Sequence, residues 1–173
     1  MFQEIIENFH ETRDFKATIA YFEKNPSDIS NIIKSIPSKR KYPFAEYSSW
    51  ILIHITQHNK QLVVAYQKTI IDVILSNNQN QTVYRNCLSV LLNFDLIDYK
   101  EGELIDKAIS FIQNNENKVA LQVYSIQLLT KFLTLYPELK EEFTSIIELY
   151  SEGRSAAYQS ALKNYHKKVK KIK

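Results

Sequence analysis

Glycine is almost missing: the 173-residue chain has two, Gly102 and Gly153. Loops that cradle phosphate need several glycines close together, because the backbone must approach the anion without a Cβ in the way. The dinucleotide fingerprint and the P-loop are therefore both excluded. Proline is scarce too, at four residues, and with so little glycine this argues against turn-rich sandwiches and barrels. The single cysteine, Cys87, cannot form an internal disulfide, so nothing suggests a secreted disulfide framework. Long apolar runs are absent as well. The longest, Leu62 to Tyr66, is far short of the ~20 residues that span a bilayer, and no membrane role is expected. The N-terminus turns acidic at Glu4, unlike a signal or transit peptide, so the cytoplasm is the expected location.

What is present is an apolar fraction of 45% and a charged fraction of 24%, the balance of a soluble globular chain. The net charge is +3, but it is unevenly spread. Six lysines (Lys163, Lys167, Lys168, Lys170, Lys171 and Lys173) fall in the last 11 residues, where there is no acid, leaving the rest of the chain at −3. A nucleic-acid binder usually spreads basic residues over a face of the fold; here the excess is terminal.

Sliding the sequence against itself by 37 residues gives its clearest signal. The turn Asn77-Asn78-Gln79-Asn80 recurs as Asn114-Asn115-Glu116-Asn117. Upstream, Ile74-Leu75 falls on Phe111-Ile112, and Leu75 continues to Leu149. Downstream, the offset stacks Tyr47, Tyr84, Leu121 and Tyr158, then Ile51, Leu88, Ser125 and Leu162, then His54, Leu91, Leu128 and Tyr165. Repeats with this period mark arrays of stacked supersecondary units.

Each unit reads as two helices, because apolar residues recur at helical spacing and no strand pattern survives beside them. Helices are expected over 61–76, 82–94, 103–114, 118–136, 138–150 and 155–172. The Asn-rich turns are suited to left-handed φ and to capping the next helix. Pro43 and Pro137 stand where proline opens a helix. The first third is less regular: 29–36 and 45–58 form a diverged pair, and 3–9 with 14–23 form a cap, as terminal repeats meet water on their outer face. The expected organisation is one domain over 1–173, with a cap at 1–26 and repeats at 27–60, 61–97, 98–135 and 136–173.

This pattern resembles the HEAT/armadillo class of α-solenoids, including small HEAT-like bacterial proteins that supply no activity to carry over. The second helix of such a repeat often opens with an acidic turn residue, then an apolar residue and an arginine; Asn80-x-x-Val83-x-Arg85 and Asn117-x-x-Ala120-x-Gln122 are similar to it, with Asn for Asp. The resemblance covers 29–172 and implies an all-α fold, a right-handed superhelix of about four helix pairs.

Candidate chemistry is sparse, and no catalytic residue, metal ligand set or cofactor is expected. His54 and His58 have the i, i+4 spacing of a metal pair, but the protease motif needs glutamate after the first histidine and Ile55 stands there. His54 also falls on an inward ladder, so it reads as a hydrogen-bonded core histidine. Cys87 reads as a plain core thiol on an apolar face. Asp95, Asp98, Glu101, Glu103 and Asp106 lack calcium-loop spacing and read as solvated acids, with Glu101 and Glu103 opening a helix where the dipole favours them. Trp50 reads as core or partly buried; HEAT-like DNA glycosylases place aromatic and acidic residues on an inner basic surface, and no residue-by-residue match to that arrangement exists here. Lys39-Arg40-Lys41-Tyr42 is a basic loop suited to phosphate contact.

The repeat itself supplies the leading binding candidates. It places Ser48, Arg85, Gln122 and Gln159 at equivalent points on successive second helices, and Thr56, Asn93, Thr130 and Lys167 on a second rung. Second helices of such solenoids usually line the concave surface, so the rungs read either as a polar groove or as the wet stripe of amphipathic helices. The expected function is a non-enzymatic module that binds a protein partner there. The alternative is a nucleic-acid-binding or nucleic-acid-processing protein, with Lys39, Arg40, Lys41, Lys167, Lys170 and Lys171 as its contacts.

The lysine-rich C-terminus carries its own expectation. Leu162, Tyr165, Val169 and Ile172 recur at near-helical spacing, so the segment is a capping helix with its ammonium groups in water. Deleting residues 163–173 is expected to lower the thermal midpoint, and duplex affinity is expected to be weak and to fall steeply across a salt series. Unchanged stability, together with loss of tight binding at physiological salt, would identify a ligand-binding arm instead.

Overall fold

A computed structural model describes residues 2–37, 44–77 and 79–172. Every regular element among these residues is helical, and none of their helices is long and apolar enough to cross a membrane. The chain divides into two compact units, Met1–Phe94 and Asp95–Lys173.

The N-terminal unit contains α1 (Phe2–Thr12), α2 (Phe15–Lys24), α3 (Ser27–Ser35), α4 (Phe44–His58), α5 (Gln67–Leu75) and α6 (Gln81–Leu91). Arg13 turns the chain between α1 and α2 in the left-handed region, at φ 57°. The Asp14 carboxylate then starts α2 by accepting the Ala17 N–H at 3.0 Å, satisfying one of the amides that a helix start leaves open. Helices α1, α2, α3 and α6 all pack on α4, and α5 packs on α6. The core between them is aliphatic, with Ile29, Ile33, Leu52, Ile70, Val83 and Leu88 fully buried among its members. Ser49 and Asn86, one repeat apart, meet directly: the Asn86 side-chain amide donates to Ser49 Oγ at 3.0 Å.

The C-terminal unit contains α7 (Glu101–Gln113), α8 (Val119–Phe132), α9 (Lys140–Leu149) and α10 (Ala156–Val169). Helix α7 packs on α8 and on α9, and α8 packs on α10. Glu101 and Glu103 lie in the first turn of α7, where negative charge complements the dipole. The repeat is visible here in one bond made twice. Gln122 Nε2 donates to the Asn114 carbonyl at 3.1 Å, and Gln159 Nε2 donates to the Ser151 carbonyl at 2.7 Å. Both partners are displaced by one repeat. Helix α10 has the expected two faces, with Tyr165 and Val169 buried and Lys163, Lys167, Lys168, Lys170 and Lys171 exposed.

Several local expectations are corrected. The stretch 61–76 is not one helix: it begins with two 3-10 turns, Lys60–Leu62 and Val64–Tyr66, before α5. The β-branched pair Val63-Val64 disfavours helix, Asn59 caps the first turn by accepting the Gln61 N–H, and Val63 is drawn fully into the core. Helix α8 stops at Phe132, and Pro137 opens a 3-10 turn, Pro137–Leu139, ahead of α9. Of the two repeated Asn turns, Asn80 caps α6 through the Thr82 and Val83 amides. Asn117 does not cap α8; its amide donates back to the Phe111 carbonyl at 2.9 Å. Leu149 does not share the burial of its repeat partner Ile112, being 73% exposed at the last residue of α9.

These contrasts give a paired test. Leu88→Ala removes a fully buried side chain and is expected to cost roughly 2–5 kcal/mol in denaturant unfolding. Leu149→Ala is expected to stay within about 0.5 kcal/mol of wild type, as surface substitutions do. Equal effects would break the assignment of Leu88 to the core.

Candidate functional site

In each unit a solvent-open depression lies between two second helices. In the N-terminal unit, Glu46, Tyr47 and Trp50 of α4 face Thr82, Arg85 and Asn86 of α6 around a pocket of about 310 Å³. In the C-terminal unit a groove of about 610 Å³ runs between α8, which offers Val123, Ile126 and Thr130, and α10, which offers Ala161, Lys167 and Lys168.

The N-terminal pocket is built on a ring of aromatic contacts. Trp50 meets the rings of Phe9 and Phe15 edge-on, each with centroids 5.5 Å apart. The Arg13 guanidinium lies 4.3 Å from the Tyr47 ring centroid and 5.4 Å from that of Trp50, and it also donates to the Tyr47 hydroxyl. A cation over two ring faces is attracted by their quadrupoles, so the turn residue between α1 and α2 fastens that corner to α4. On the opposite wall, Arg85 Nε and Nη2 both donate to Asn86 Oδ1, at 3.1 and 2.8 Å. Asn86 is fully buried and its own amide is spent on Ser49, whose hydroxyl donates to the Glu46 carbonyl at 2.9 Å. The Glu46 carboxylate accepts from the Asn80 side-chain amide. Each polar wall residue is thereby held by a partner of its own.

The two rungs divide by burial. Ser48 is buried, with its hydroxyl 3.2 Å from that of Ser35. Gln122 is buried, its amide shared between the Asn114 and Asn117 carbonyls, both at 3.1 Å. Thr56 and Thr130 are buried and donate to the carbonyls of Leu52 and Ile126 in their own helices, at 2.7 and 2.6 Å. Arg85 and Gln159 are half-buried, while Asn93 and Lys167 are exposed. Within the N-terminal unit only Arg85 of these residues lines the pocket; within the C-terminal unit Thr130 and Lys167 line the groove. Lys170 and Lys171 follow at the exposed end of α10. Lys39, Arg40 and Lys41, with Tyr42 and Pro43, lie outside the described residues.

The remaining candidates resolve one by one. Cys87 is fully buried, and burial pushes its thiol up to about 12, which leaves essentially no thiolate at neutral pH. His58 pairs with Glu23 at 3.1 Å. His54 is not hydrogen-bonded as expected: its Nε2 is buried with no partner among the described residues. It packs instead against the rings of Phe15, at 4.0 Å between centroids, and Trp50, at 5.9 Å, because the α2 face that covers it is aromatic. Of the acidic stretch, Glu101 accepts a hydrogen bond from the Tyr136 hydroxyl, and that bond, with burial and nearby acids, raises the Tyr136 pKa. Sequence reasoning missed Arg13, Glu46 and Asn86. The only signal for Asn86 was its place one repeat after Ser49; Arg13 gave none.

A family model described as a HEAT repeat domain matches residues 2–171. No curated protein and no solved structure matches the chain.

The environment of His54 predicts a pH response. Desolvation lowers its pKa below the ordinary 6.5, so the folded state binds fewer protons there than the unfolded state does in acid. Its contribution to stability is full above pH ~6.5 and is lost as pH falls toward the depressed folded value. His54→Phe keeps the ring and removes the proton. The variant is expected to lose less of its thermal midpoint than wild type between pH 7 and pH 5, and parallel losses would sink the idea.

Proposed function

This chain belongs to the HEAT repeat family, and from that premise we propose that it is a non-enzymatic protein-interaction module whose binding face is formed by its second helices. HEAT repeats serve generally as protein-interaction scaffolds. The observation that carries the reading is that the pocket and the groove both open between second helices, α4 with α6 and α8 with α10. Arg85, Gln159, Asn93 and Lys167 are proposed as the rung members that meet the partner. Ser48 and Thr56 in the N-terminal unit, and Gln122 and Thr130 in the C-terminal unit, are buried and support the second helices of their own unit. The family match spans residues 2–171, which supports reading both units as made of such repeats. The proposed location is the cytoplasm, in keeping with a lone, buried thiol.

Nucleic acid is the second reading, and the observation in its favour is the exposed lysine cluster of α10. Lys39, Arg40 and Lys41 would join it as phosphate contacts. Such binding would be electrostatic and would weaken steeply with salt.

Capture from nuclease-treated native lysate separates the two. The expected result is a protein recovered in fixed ratio to the chain, and lost when Ala157→Trp, at an exposed position lining the α8–α10 groove, fills it at an unchanged thermal midpoint. Recovery of nucleic acid alone, from untreated lysate at physiological salt, would replace the first reading with the second.

A further inference from the structure

The α4–α6 pocket of the N-terminal unit has the chemistry of a site for one particular group. Arg85 spends its Nε and one Nη2 hydrogen on a single oxygen, Asn86 Oδ1. The other edge of the guanidinium, between Nη1 and Nη2, is therefore left to the pocket. No acid among the described residues pairs with it, and the buried Asn86–Ser49 chain fixes its orientation. A planar fork held in one orientation matches a carboxylate through two parallel N–H···O bonds. Trp50 forms an apolar wall whose ring is already immobilised by Phe9, Phe15 and Arg13. Glu46, held through one oxygen by Asn80, adds an acceptor that repels a bare anion and welcomes an N–H. A ligand must then offer three things together: a carboxylate for Arg85, an apolar side chain for Trp50 and a hydrogen-bond donor for Glu46.

The free C-terminal residue of a peptide offers all three. A volume of about 310 Å³ is at the small end of ligand pockets, roughly 300–1,000 Å³, and suits one residue with its terminal carboxylate better than a nucleotide. We propose that this pocket captures the C-terminal carboxylate of a partner polypeptide ending in an apolar residue. The proposal rests on the protein-interaction reading and gives it a point of attachment. The residue before the terminus supplies the chain direction; its amide and that of the last residue are the donors available to Glu46.

Trp50 is the sole tryptophan, so its emission reports on this pocket directly. The probes are acetylated tripeptides ending in phenylalanine, either as the free acid or as the C-terminal amide, with phenyl phosphate and an amidated peptide bearing an internal aspartate as comparisons. The free acid is expected to shift Trp50 emission saturably and to bind at least tenfold more tightly than the amide. Arg85→Gln is expected to abolish that preference. Arg85→Lys, which keeps the charge and a donor for Asn86 but loses the fork, is expected to bind the acid several-fold more weakly at a thermal midpoint near wild type. Equal affinity for acid and amide, or no saturable shift, overturns the proposal. Tighter binding of phenyl phosphate overturns the carboxylate assignment, and equal binding of the internal aspartate overturns the terminal one. If Arg85→Gln still captures the same protein from lysate, the pocket is not its attachment point while the interaction reading stands. If the free acid binds as expected but lysate yields no protein partner, the interaction reading fails and the pocket remains.

Discussion

The middle helices α4 and α8 are packed by neighbours on more sides than one apolar stripe can serve, and much of the structure follows from how they meet that demand. Helix α4 is covered by α1, α2, α3 and α6, and α8 by α7 and α10. A helix enclosed in this way must bury polar positions without leaving their groups unpaired. Both helices use small hydroxyl residues that bond to their own backbone: Ser49, Thr56, Ser125 and Thr130 each donate to a carbonyl three or four residues earlier. Such side chains are satisfied locally and short enough to let a neighbouring helix come close. The longer Gln122 is buried where a turn offers the Asn114 and Asn117 carbonyls to receive its amide.

The pocket in the N-terminal unit follows from the same packing. Asn86 is buried because α6 lies against α4, and its amide finds Ser49 there. Its oxygen then faces outward along α6 and collects Arg85. On the facing helix, Trp50 is half-buried because α1 and α2 cover one side of it with Phe9 and Phe15 and leave the other open. The result is a charged group and an aromatic wall held rigid by buried neighbours, the condition under which a site keeps its shape before a ligand arrives.

The repeat was readable because equivalent positions keep equivalent surroundings. Tyr47, Tyr84, Leu121 and Tyr158 are all buried, as their shared rung requires. Period alone does not say what a polar rung faces. Gln122 and Arg85 occupy one rung, yet the Gln122 amide is consumed by the Asn114 and Asn117 carbonyls of the preceding turn, whereas Arg85 donates to Asn86 within its own helix and stays half-open. The Arg13 contact was out of reach for another reason. It joins a residue in a left-handed turn to one 34 positions away, a separation that the 37-residue offset does not pick out. Helix ends misread for local reasons, as where β-branched Val63 and Val64 break what apolar spacing makes continuous.

The buried sulfur of α6 has a kinetic meaning. Cys87 is the sole thiol and has 0% exposure, so a thiol reagent in water meets it only when the packing around α6 comes apart. Its labelling is an on-board clock for opening of the N-terminal unit, running at the opening rate when the reagent is abundant and at the open-state population when it is dilute. Residues 95–173 carry no such atom. Any slowing of that clock by a bound molecule would therefore be credited to residues 1–94, without a label having been added to the protein.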